Sequence, residues 1–543
     1  MTEQPTRRTI SRTEWLVVLA SSAAVSLLAV LWSWRHGALL NYGDAVAHLH
    51  IARRVFDSHR PGLLQLGSVW LPLPHILLIP FVAIYSWWAN GIAGIFPSAA
   101  AYIASCVGMY RLARHWLHPS AAAAAFAFFA TNPNLLYMQT TAMTEPLFLC
   151  EMIWLVMWLV EWHSSLEDAP HRTAGLLWRI ALVLVAAVFT RYDGWILAFL
   201  AWSAIGIVQF RRGVHLSRTY WITSAFVVAA PIAWFAYNAV VFGDWLDFAR
   251  GPYSAAAIEL RTATPGSGPP HPGWHNPWVS FLFFVKTAQM VAAAEAWGNT
   301  LLALSFAGTA WAVITARSRA FLWTLLLWLP VPFYAYSIAF GSVPIFIPLW
   351  WPHSWYNTRY GLELLPAFAL GLAFIAQFVL AIAREFKPRS TVYLAPALYA
   401  IILLNAWTVI REKPLTYIES IKNIESRRTL EAEIPPVLRS LLAQRPGGIV
   451  LMNTSVFPQL VSLTGIPLRQ TINESDKEFY TAALAAPASH ASVVLAFEGD
   501  EIDRAVRAHP EALKPVRSFR TPGQPSGTVY VSDTLRNTND PQQ

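Results

Sequence analysis

The chain has 543 residues, of which 55% are hydrophobic and only 13% are charged, and its mean hydropathy is +0.41. A soluble globular protein carries about 25% charged residues, so this composition excludes that class and indicates a polytopic membrane protein. The net charge of +8 does not indicate a nucleic-acid partner, because the basic residues interrupt apolar segments and form no basic stripe.

The first apolar segment covers residues 15–34 and follows Arg7, Arg8 and Arg12. Roughly 20 apolar residues exceed the core of a signal peptide, and no A-x-A-like cleavage site follows them. We therefore predict an uncleaved membrane span whose basic N-terminus lies in the cytoplasm. Asp44 then lies in the first extracytoplasmic loop.

Two apolar segments follow Asp44 before the basic cluster at Arg111 and Arg114. If that cluster is cytoplasmic, the chain crosses the membrane an odd number of times between them. Residues 69–88 contain three prolines, which disrupt a regular helix. We therefore predict that residues 69–88 form a re-entrant or interfacial element and that residues 97–110 form a true span.

The later apolar segments alternate in direction and return the following basic clusters to the cytoplasmic side. With the first two spans they give about eleven crossings of roughly 17–25 residues each. A long loop at residues 242–284 carries the Pro/Gly tract 264–273, which is interpreted as a gate or as a plain mobile linker. The further spans are predicted near residues 121–130, 147–162, 176–189, 195–210, 221–241, 288–314, 321–340, 360–383 and 392–410.

Residues 411–543 are hydrophilic enough to form a separate soluble domain after a membrane domain at residues 1–410. The predicted fold class is therefore an all-α polytopic membrane domain with a C-terminal extracytoplasmic α/β domain. This domain has no nucleotide-binding motif and no His/Cys cluster, so a lid or acceptor-docking role is expected. Its predicted strands are residues 448–453, 492–498 and 528–532, and its predicted helices are residues 418–442 and 500–509.

Several polar residues gather at the outer ends of the predicted spans. Asp44 and His48 are four residues apart and share one face of a helix that begins at Asp44. Glu145 lies at the outer end of a span and precedes a proline suited to the first helical turn. The other candidates are Arg191, Tyr192 and Asp193 in a tight outer hairpin, and Arg359 at the end of a later span.

Each of these residues has a plainer interpretation. Asp44 could be an ordinary solvated carboxylate, and His48 could be structural. Glu145 could stabilise its helix through the N-terminal dipole. Arg191 and Asp193 could pair only with each other, and Arg359 could extend toward lipid head groups.

The combination indicates chemistry on a lipid-linked sugar more strongly than any one residue does. An acceptor hydroxyl needs a base, and a carboxylate within hydrogen-bond reach supplies it. The departing lipid phosphate gains negative charge, which guanidinium groups can stabilise through paired hydrogen bonds. A groove between apolar helices would hold the lipid tail.

The chain resembles the GT-C superfamily of membrane glycosyltransferases, near the polyprenyl-phosphate-sugar protein mannosyltransferase and lipid A aminoarabinose transferase branch. The resemblance covers residues up to about 383 and implies an inverting transfer from a polyprenyl-phosphate sugar, with Asp44 as general base. It also implies that Arg359 lies near the donor phosphate and that Glu145 matches a second acidic position. The matching segments are Gly43-Asp44, Leu71-Pro72-Leu73-Pro74-His75, Arg111-Leu112-Ala113-Arg114, Thr144-Glu145-Pro146, Thr190-Arg191-Tyr192-Asp193-Gly194-Trp195 and Asn357-Thr358-Arg359-Tyr360.

The chain departs from the family pattern after Asp44, where many members have a second acid and this sequence has Ala45 and Val46. A divalent metal needs at least two or three oxygen ligands, so no obligatory cofactor is predicted. If a divalent metal does bind, Asp44, Glu145 and His48 are its expected ligands.

The predicted function is an integral-membrane glycosyltransferase in which Asp44 is catalytic. Arg359, Arg191, Glu145, Asp193, His48 and Tyr192 are the predicted substrate-binding residues. The expected partners are a polyprenyl-phosphate sugar, membrane lipid and an acceptor that is a protein, lipid or glycan. The expected location is the plasma membrane, with the active site outside. A transporter or flippase of a lipid-linked sugar is the alternative, although that class favours repeated halves and midplane sites.

Overall fold

The computed structural model of the chain describes residues 10–67, 69–213, 217–262, 269–316, 318–386 and 391–536. Within these ranges, ten helical segments are long and apolar enough to cross a membrane. The protein is therefore a multi-pass membrane protein with a mostly helical fold. The ten segments are Arg12–Arg35, Ile92–Arg114, Glu145–Asp168, Pro170–Thr190, Asp193–Arg211, Arg218–Phe242, Glu295–Thr315, Arg319–Phe340, Thr358–Phe386 and Tyr393–Glu425.

Large apolar side chains on these helices face outward. Phe210, Val240 and Ile314 are each about 80% exposed in the chain alone. Such surfaces are costly in water but not in a bilayer, where lipid tails cover them. The exposed apolar surface therefore agrees with membrane insertion.

Two of the predicted elements are short helices. Residues 69–88 form the helices Leu73–Val82 and Tyr85–Asn90, which agrees with the prediction that this proline-containing segment is not a regular span. The predicted span at residues 121–130 is the helix Pro119–Ala130, which has 12 residues and is shorter than a regular transmembrane helix of roughly 17–25 residues. The described part of the chain thus has ten long apolar segments, where the sequence predicts about eleven spans.

The predicted span at residues 288–314 corresponds to Glu295–Thr315 but was predicted to begin too early, and the predicted loop before it contains helices. The helix Pro277–Ala292 ends at Ala293, whose backbone is extended, and a separate helix Glu295–Thr315 follows. Asn276 caps the earlier helix by accepting the Val279 N–H at 3.1 Å. The predicted loop also contains the short helices Asp247–Arg250 and Ala255–Thr262, whereas residues 264–268 of the Pro/Gly tract lie outside the described residues.

The chain divides into two compact units. The membrane unit consists of Met1–His36, Ser68–Pro74 and Pro97–Glu419. The loop–domain unit consists of Gly37–Gly67, His75–Phe96 and Ser420–Gln543. Most of the segment between the first two long helices therefore folds with the C-terminal residues.

The loop–domain unit contains a five-stranded mixed sheet in the order β2-β1-β3-β5-β4. The strands are β1 (Val450–Met452), β2 (Thr471–Ile472), β3 (Val493–Phe497), β4 (Leu513–Phe519) and β5 (Gly527–Ser532). The strands β1, β2 and β3 are parallel, while β5 pairs antiparallel with β3 and β4. The predicted strands correspond to β1, β3 and β5.

The helices of this domain also differ from the sequence expectation. The predicted helix at residues 418–442 is interrupted and forms the helices Leu415–Glu425 and Arg428–Ala443. The predicted helix at residues 500–509 is Glu501–Ala508. Strands β2 and β4 were missed because β2 has two residues and β4 is an exposed edge strand with a register shift after Pro515.

The first-loop part of the loop–domain unit is joined to the C-terminal residues by buried polar contacts. Asp57 pairs with Arg53 at 2.7 Å and accepts the backbone N–H groups of Leu468 and Arg469 at 3.3 and 3.2 Å. Arg53 also lies over the ring of Trp88, 4.7 Å from its centroid. These contacts fix the C-terminal end of the helix Gly43–Arg54 within its unit.

Candidate active site

The membrane unit gathers four predicted site residues into one buried cluster. The tight hairpin is present, since the helices Thr173–Thr190 and Asp193–Arg211 are joined only by Arg191 and Tyr192. Gly194 is required there, because a Cβ at this position would lie 2.2 Å from the Ala187 carbonyl oxygen. We call the following residues the acid–arginine cluster: Glu145, Arg191, Asp193, Arg359, Glu363 and Glu419.

Arg191 contacts three of the four acids. Its Nε lies 3.1 Å from Asp193 Oδ2, its Nη1 3.4 Å from Glu145 Oε1 and its Nη2 3.1 Å from Glu363 Oε1. Burial by itself lowers the pKa of Arg191, but the surrounding carboxylates outweigh it and raise the pKa well above its ordinary value. The guanidinium is therefore permanently charged, and Asp193 is only one of its partners.

Arg359 joins two further acids from different parts of the chain. Its Nε donates to Glu145 Oε1 at 3.0 Å, and its Nη1 donates to Glu419 Oε1 at 2.9 Å. Glu419 also accepts the backbone N–H groups of Asn357 and Thr358 at 3.0 and 2.8 Å. Because Asn357 has a positive φ of 54°, Glu419 holds an unfavourable backbone turn immediately before Arg359.

Tyr334 links the acids on the other side of Arg191. Its hydroxyl donates to Glu363 Oε1 at 2.6 Å and accepts from Arg191 Nη2 at 2.7 Å. Asp193 and Glu363 line a small cavity with room for about one water molecule. Its other walls are apolar, so a polar group that enters it meets these carboxyl groups.

The cluster contains four carboxyl groups and two guanidinium groups. Among the described residues, Oε2 of both Glu145 and Glu363 has no hydrogen-bond partner although it is buried. A buried carboxylate oxygen without a partner is energetically costly. The cluster therefore has two buried oxygens that can accept hydrogen bonds from the donor groups of a ligand.

Tyr192 lies beside the acid–arginine cluster but faces a different neighbour. Its hydroxyl donates to the Val69 carbonyl oxygen at 2.7 Å, and its ring stacks on Phe248 with a centroid distance of 5.2 Å. Tyr192 thus anchors the segment around Val69 within the membrane unit. Any contact with substrate remains a prediction.

Asp44 belongs to the loop–domain unit, in the first turn of the helix Gly43–Arg54. Its side chain is half-buried. A carboxylate in the first turn of a helix is stabilised by the backbone dipole. The side chain is therefore partly accessible at the start of this helix.

His48 lies on the same helix and is buried against a second histidine. Its Nδ1 is 2.8 Å from Nε2 of His75. Burial lowers the pKa of His75 well below its ordinary value, with additional contributions from His48 and Arg54. His50 is also buried, beside Trp88, and its pKa is lowered to about 3 by burial and by Arg54 and Arg53. This arrangement favours a structural role for His48.

The suspected metal ligands are divided between the units, with Asp44 and His48 in the loop–domain unit and Glu145 in the membrane unit. Throughout the part of the chain that the structure describes, no group of three or more His, Cys, Asp or Glu residues has an arrangement that could hold a metal ion.

Neither protein-family models nor curated protein sequences match this chain. Its architecture, however, matches that of ArnT from Cupriavidus metallidurans. The apo form of ArnT has a TM-score of 0.56 with 14% identity, over 96% of this chain and 99% of ArnT. The form bound to undecaprenyl phosphate has a TM-score of 0.55 with 14% identity, over 97% and 99% of the two chains.

The protein has a GT-C fold. ArnT is a lipid A aminoarabinose transferase of the GT-C superfamily. An oligosaccharyltransferase from Archaeoglobus fulgidus overlaps less well, with a TM-score of 0.49 and 12% identity over 95% of this chain and 74% of the other. The fold resemblance given by the sequence motifs is therefore confirmed.

Sequence reasoning missed two members of the acid–arginine cluster, Glu363 and Glu419, and also Tyr334, which links Glu363 to Arg191. Glu363 was detectable, because it lies four residues after Arg359 at the start of a long apolar helix, where an acid is expected to need a partner. Glu419 and Tyr334 gave no comparable signal, since their roles depend on which helix faces meet.

Proposed function

We propose that this protein is an integral-membrane glycosyltransferase. It transfers a sugar from a polyprenyl-phosphate donor to an extracytoplasmic acceptor, with inversion at the anomeric carbon. Asp44 acts as the general base. The observation that carries the proposal is the fold match with ArnT over 96–97% of this chain, including ArnT bound to undecaprenyl phosphate.

In the proposed reaction, the acceptor oxygen forms a bond to the anomeric carbon as the bond to the donor phosphate breaks. The acceptor proton moves to the Asp44 carboxylate, and the electron pair of the broken bond leaves on the lipid phosphate. A monophosphate donor can complete this step without a metal ion, so we propose no obligatory cofactor. Residual activity in a strong chelator tests this part.

Arg359 and Arg191 are proposed to stabilise the charge on the departing phosphate. Both guanidiniums are held by several carboxylates, and such partners keep a binding group in one orientation. A phosphate would supply the same paired acceptor geometry that the carboxylates offer. Glu145 contacts both arginines, and its proposed role is to compete with the phosphate for their hydrogen bonds.

The positive-inside rule supports the proposed orientation. With the short apolar helix Pro119–Ala130 counted as a crossing, the N-terminus and the basic clusters after Ile92–Arg114 and Asp193–Arg211 lie in the cytoplasm, and Asp44 lies outside. The proposed location is the plasma membrane, where a polyprenyl-phosphate donor would be a membrane lipid. The acceptor is a protein, lipid or glycan that is reached from the outer side.

The test compares the wild type with Asp44→Asn in lipid nanodiscs. The donors are undecaprenyl-phosphate mannose and undecaprenyl-phosphate aminoarabinose, and the acceptors are lipid A and a membrane-protein extract. Loss of a general base typically costs about 100- to 10,000-fold in rate, so we expect release of undecaprenyl phosphate to fall by that factor in Asp44→Asn.

The matched control is Asp533→Asn, which removes a partly exposed carboxylate paired with Lys514 in the C-terminal domain. It should release undecaprenyl phosphate at the wild-type rate. Equal turnover by Asp44→Asn and the control would remove Asp44 from the mechanism. Movement of intact donor across a liposome membrane, without phosphate release, would instead support a flippase.

A further inference from the structure

The N-terminal end of the helix that carries Asp44 is held by residues from the far end of the sequence. The first N–H of this helix, on Gly43, donates to Asn423 Oδ1 at 2.9 Å. The N-cap residue is Tyr42, which is not one of the residue types that cap a helix with a side-chain oxygen. Asn423 therefore supplies the cap from outside the helix, about 380 positions later in the sequence.

A buried arginine fixes Asn423 and the preceding turn together. Arg427 Nη2 donates to the Asn41 carbonyl oxygen at 2.9 Å and to Asn423 Oδ1 at 3.3 Å. Its Nη1 donates to Glu431 Oε1 at 2.8 Å, and both Arg427 and Glu431 are 5% exposed. The same guanidinium thus contacts the backbone just before Asp44, the capping side chain and a neutralising acid.

The approach of these groups is close. A Cβ built on Gly43 would lie 3.5 Å from Asn423 Oδ1 and 3.9 Å from Arg427 Cζ. A further contact from the C-terminal domain, between Gln459 Nε2 and the Leu40 carbonyl oxygen at 3.4 Å, supports the same turn. The four residues before Asp44 are therefore packed against the C-terminal part of their unit.

We propose that Asn423 and Arg427 are positioning residues for Asp44, and that one role of the C-terminal segment is to fix the direction of this carboxylate. The inference rests on the proposed function. Asp44 lies in the first helical turn, which loses its fixed geometry when its N–H groups have no acceptor. A base displaced by about 1 Å can lose up to about 100-fold in rate.

The test measures kcat and KM for undecaprenyl-phosphate sugar in the full-length protein. Asn423→Ala removes the acceptor for Gly43 N–H, and we expect kcat to fall roughly 10- to 100-fold while donor KM changes less than about twofold, because Asn423 acts through Asp44. Arg427→Lys keeps a charge for Glu431 but cannot hold two acceptors in one plane. It should lower kcat in the same way by a smaller factor.

A conservative variant separates positioning from simple structural support. Asn423→Asp keeps an oxygen acceptor for the Gly43 N–H, so kcat should stay near that of the wild type at the optimum pH. Its added negative charge opposes ionisation of a nearby carboxylate. The acidic limb of the kcat/KM pH profile should therefore move to higher pH.

The control is Asn453→Ala, which removes a local contact with Ser455 in the same domain and should leave kcat unchanged. The inference is overturned if Asn423→Ala has the kcat of this control. It is also overturned if Asn423→Ala and Asn423→Asp lose donor binding and thermal stability together. An inactive wild type overturns the proposed function. If the wild type is active, Asp44→Asn is inactive and Asn423→Ala is unaffected, only this inference is overturned.

Discussion

The two units bury polar groups in different ways. In the acid–arginine cluster, the membrane unit buries charged groups and pairs both guanidiniums, Arg191 and Arg359, with several carboxylates. The loop–domain unit pairs its buried Arg53 and Arg427 with one carboxylate each, and it also buries uncharged imidazoles, since His50 and His75 have strongly lowered pKa values. The stability of the acid–arginine cluster should depend on the presence of each partner, whereas the stability of the buried imidazoles should depend on pH. This difference can be tested by mutation and by pH.

The largest expected effect is the removal of one cation from the acid–arginine cluster. Arg359→Met leaves Glu145 and Glu419 buried without this partner, and breaking a buried pair in this way costs about 3–5 kcal/mol. We expect a clearly lower Tm in detergent. Arg250→Met, which breaks an exposed pair with Asp244, is the control and should leave Tm unchanged. Equal Tm values would show that the cluster does not stabilise the membrane unit.

A smaller effect is expected from a single hydroxyl group. Tyr334→Phe removes the donor to Glu363 and an acceptor for Arg191, and an unpaired buried polar group costs about 1–3 kcal/mol. Tyr336→Phe on the same helix changes a side chain that is 66% exposed, so its unfolding temperature should equal that of the wild type. Thermal scans of the two variants side by side check this, and a matching decrease in both would contradict it.

The smallest effect concerns acid sensitivity in the loop–domain unit. The pKa of His50 is about 3 in the folded state and 6.5 ordinarily, so the unfolded state binds more protons between these values. His50 therefore leaves the free energy of unfolding unchanged above about pH 6.5. As the pH falls to 5, His50 lowers that free energy by up to about 2 kcal/mol. His50→Phe should reduce the loss of unfolding free energy between pH 7 and pH 5.

His490 provides the control for this experiment, because it is exposed on the C-terminal domain. His490→Asn should keep the wild-type dependence of stability on pH. Part of the dependence should also persist in His50→Phe, since His75 is buried in the same unit. An unchanged pH dependence in His50→Phe would show that this imidazole is already charged in the folded state.

The sequence predicted those features that depend on local pattern. Apolar length marked nearly all the long helices, and β-branched segments marked β1, β3 and β5. It did not show the helix break at Ala293, because the surrounding alanines continue a helical pattern without Gly or Pro. The sequence pattern therefore located the helices and strands more accurately than it located their first and last residues.

The candidate site was predictable only in part, for the same reason. Glu145, Arg191, Asp193 and Arg359 were identified as polar residues at the ends of apolar segments, and the structure brings these four together. Their partners Tyr334 and Glu419 depend on contacts between helices far apart in sequence, which no local pattern records. The catalytic roles of all these residues, and of Asp44, remain predictions.

The shared unit formed by the first loop and the C-terminal residues has a consequence for biosynthesis. A ribosome completes residues 37–96 long before it reaches Ser420, and translation adds about 5–20 residues per second. The segment around Asp44 therefore waits roughly 16 to 65 seconds, at that rate, for the partners that complete its fold. In a nascent or prematurely terminated chain, the helix that carries Asp44 lacks its C-terminal partners. The order of synthesis therefore delays assembly of the site until the last domain has emerged.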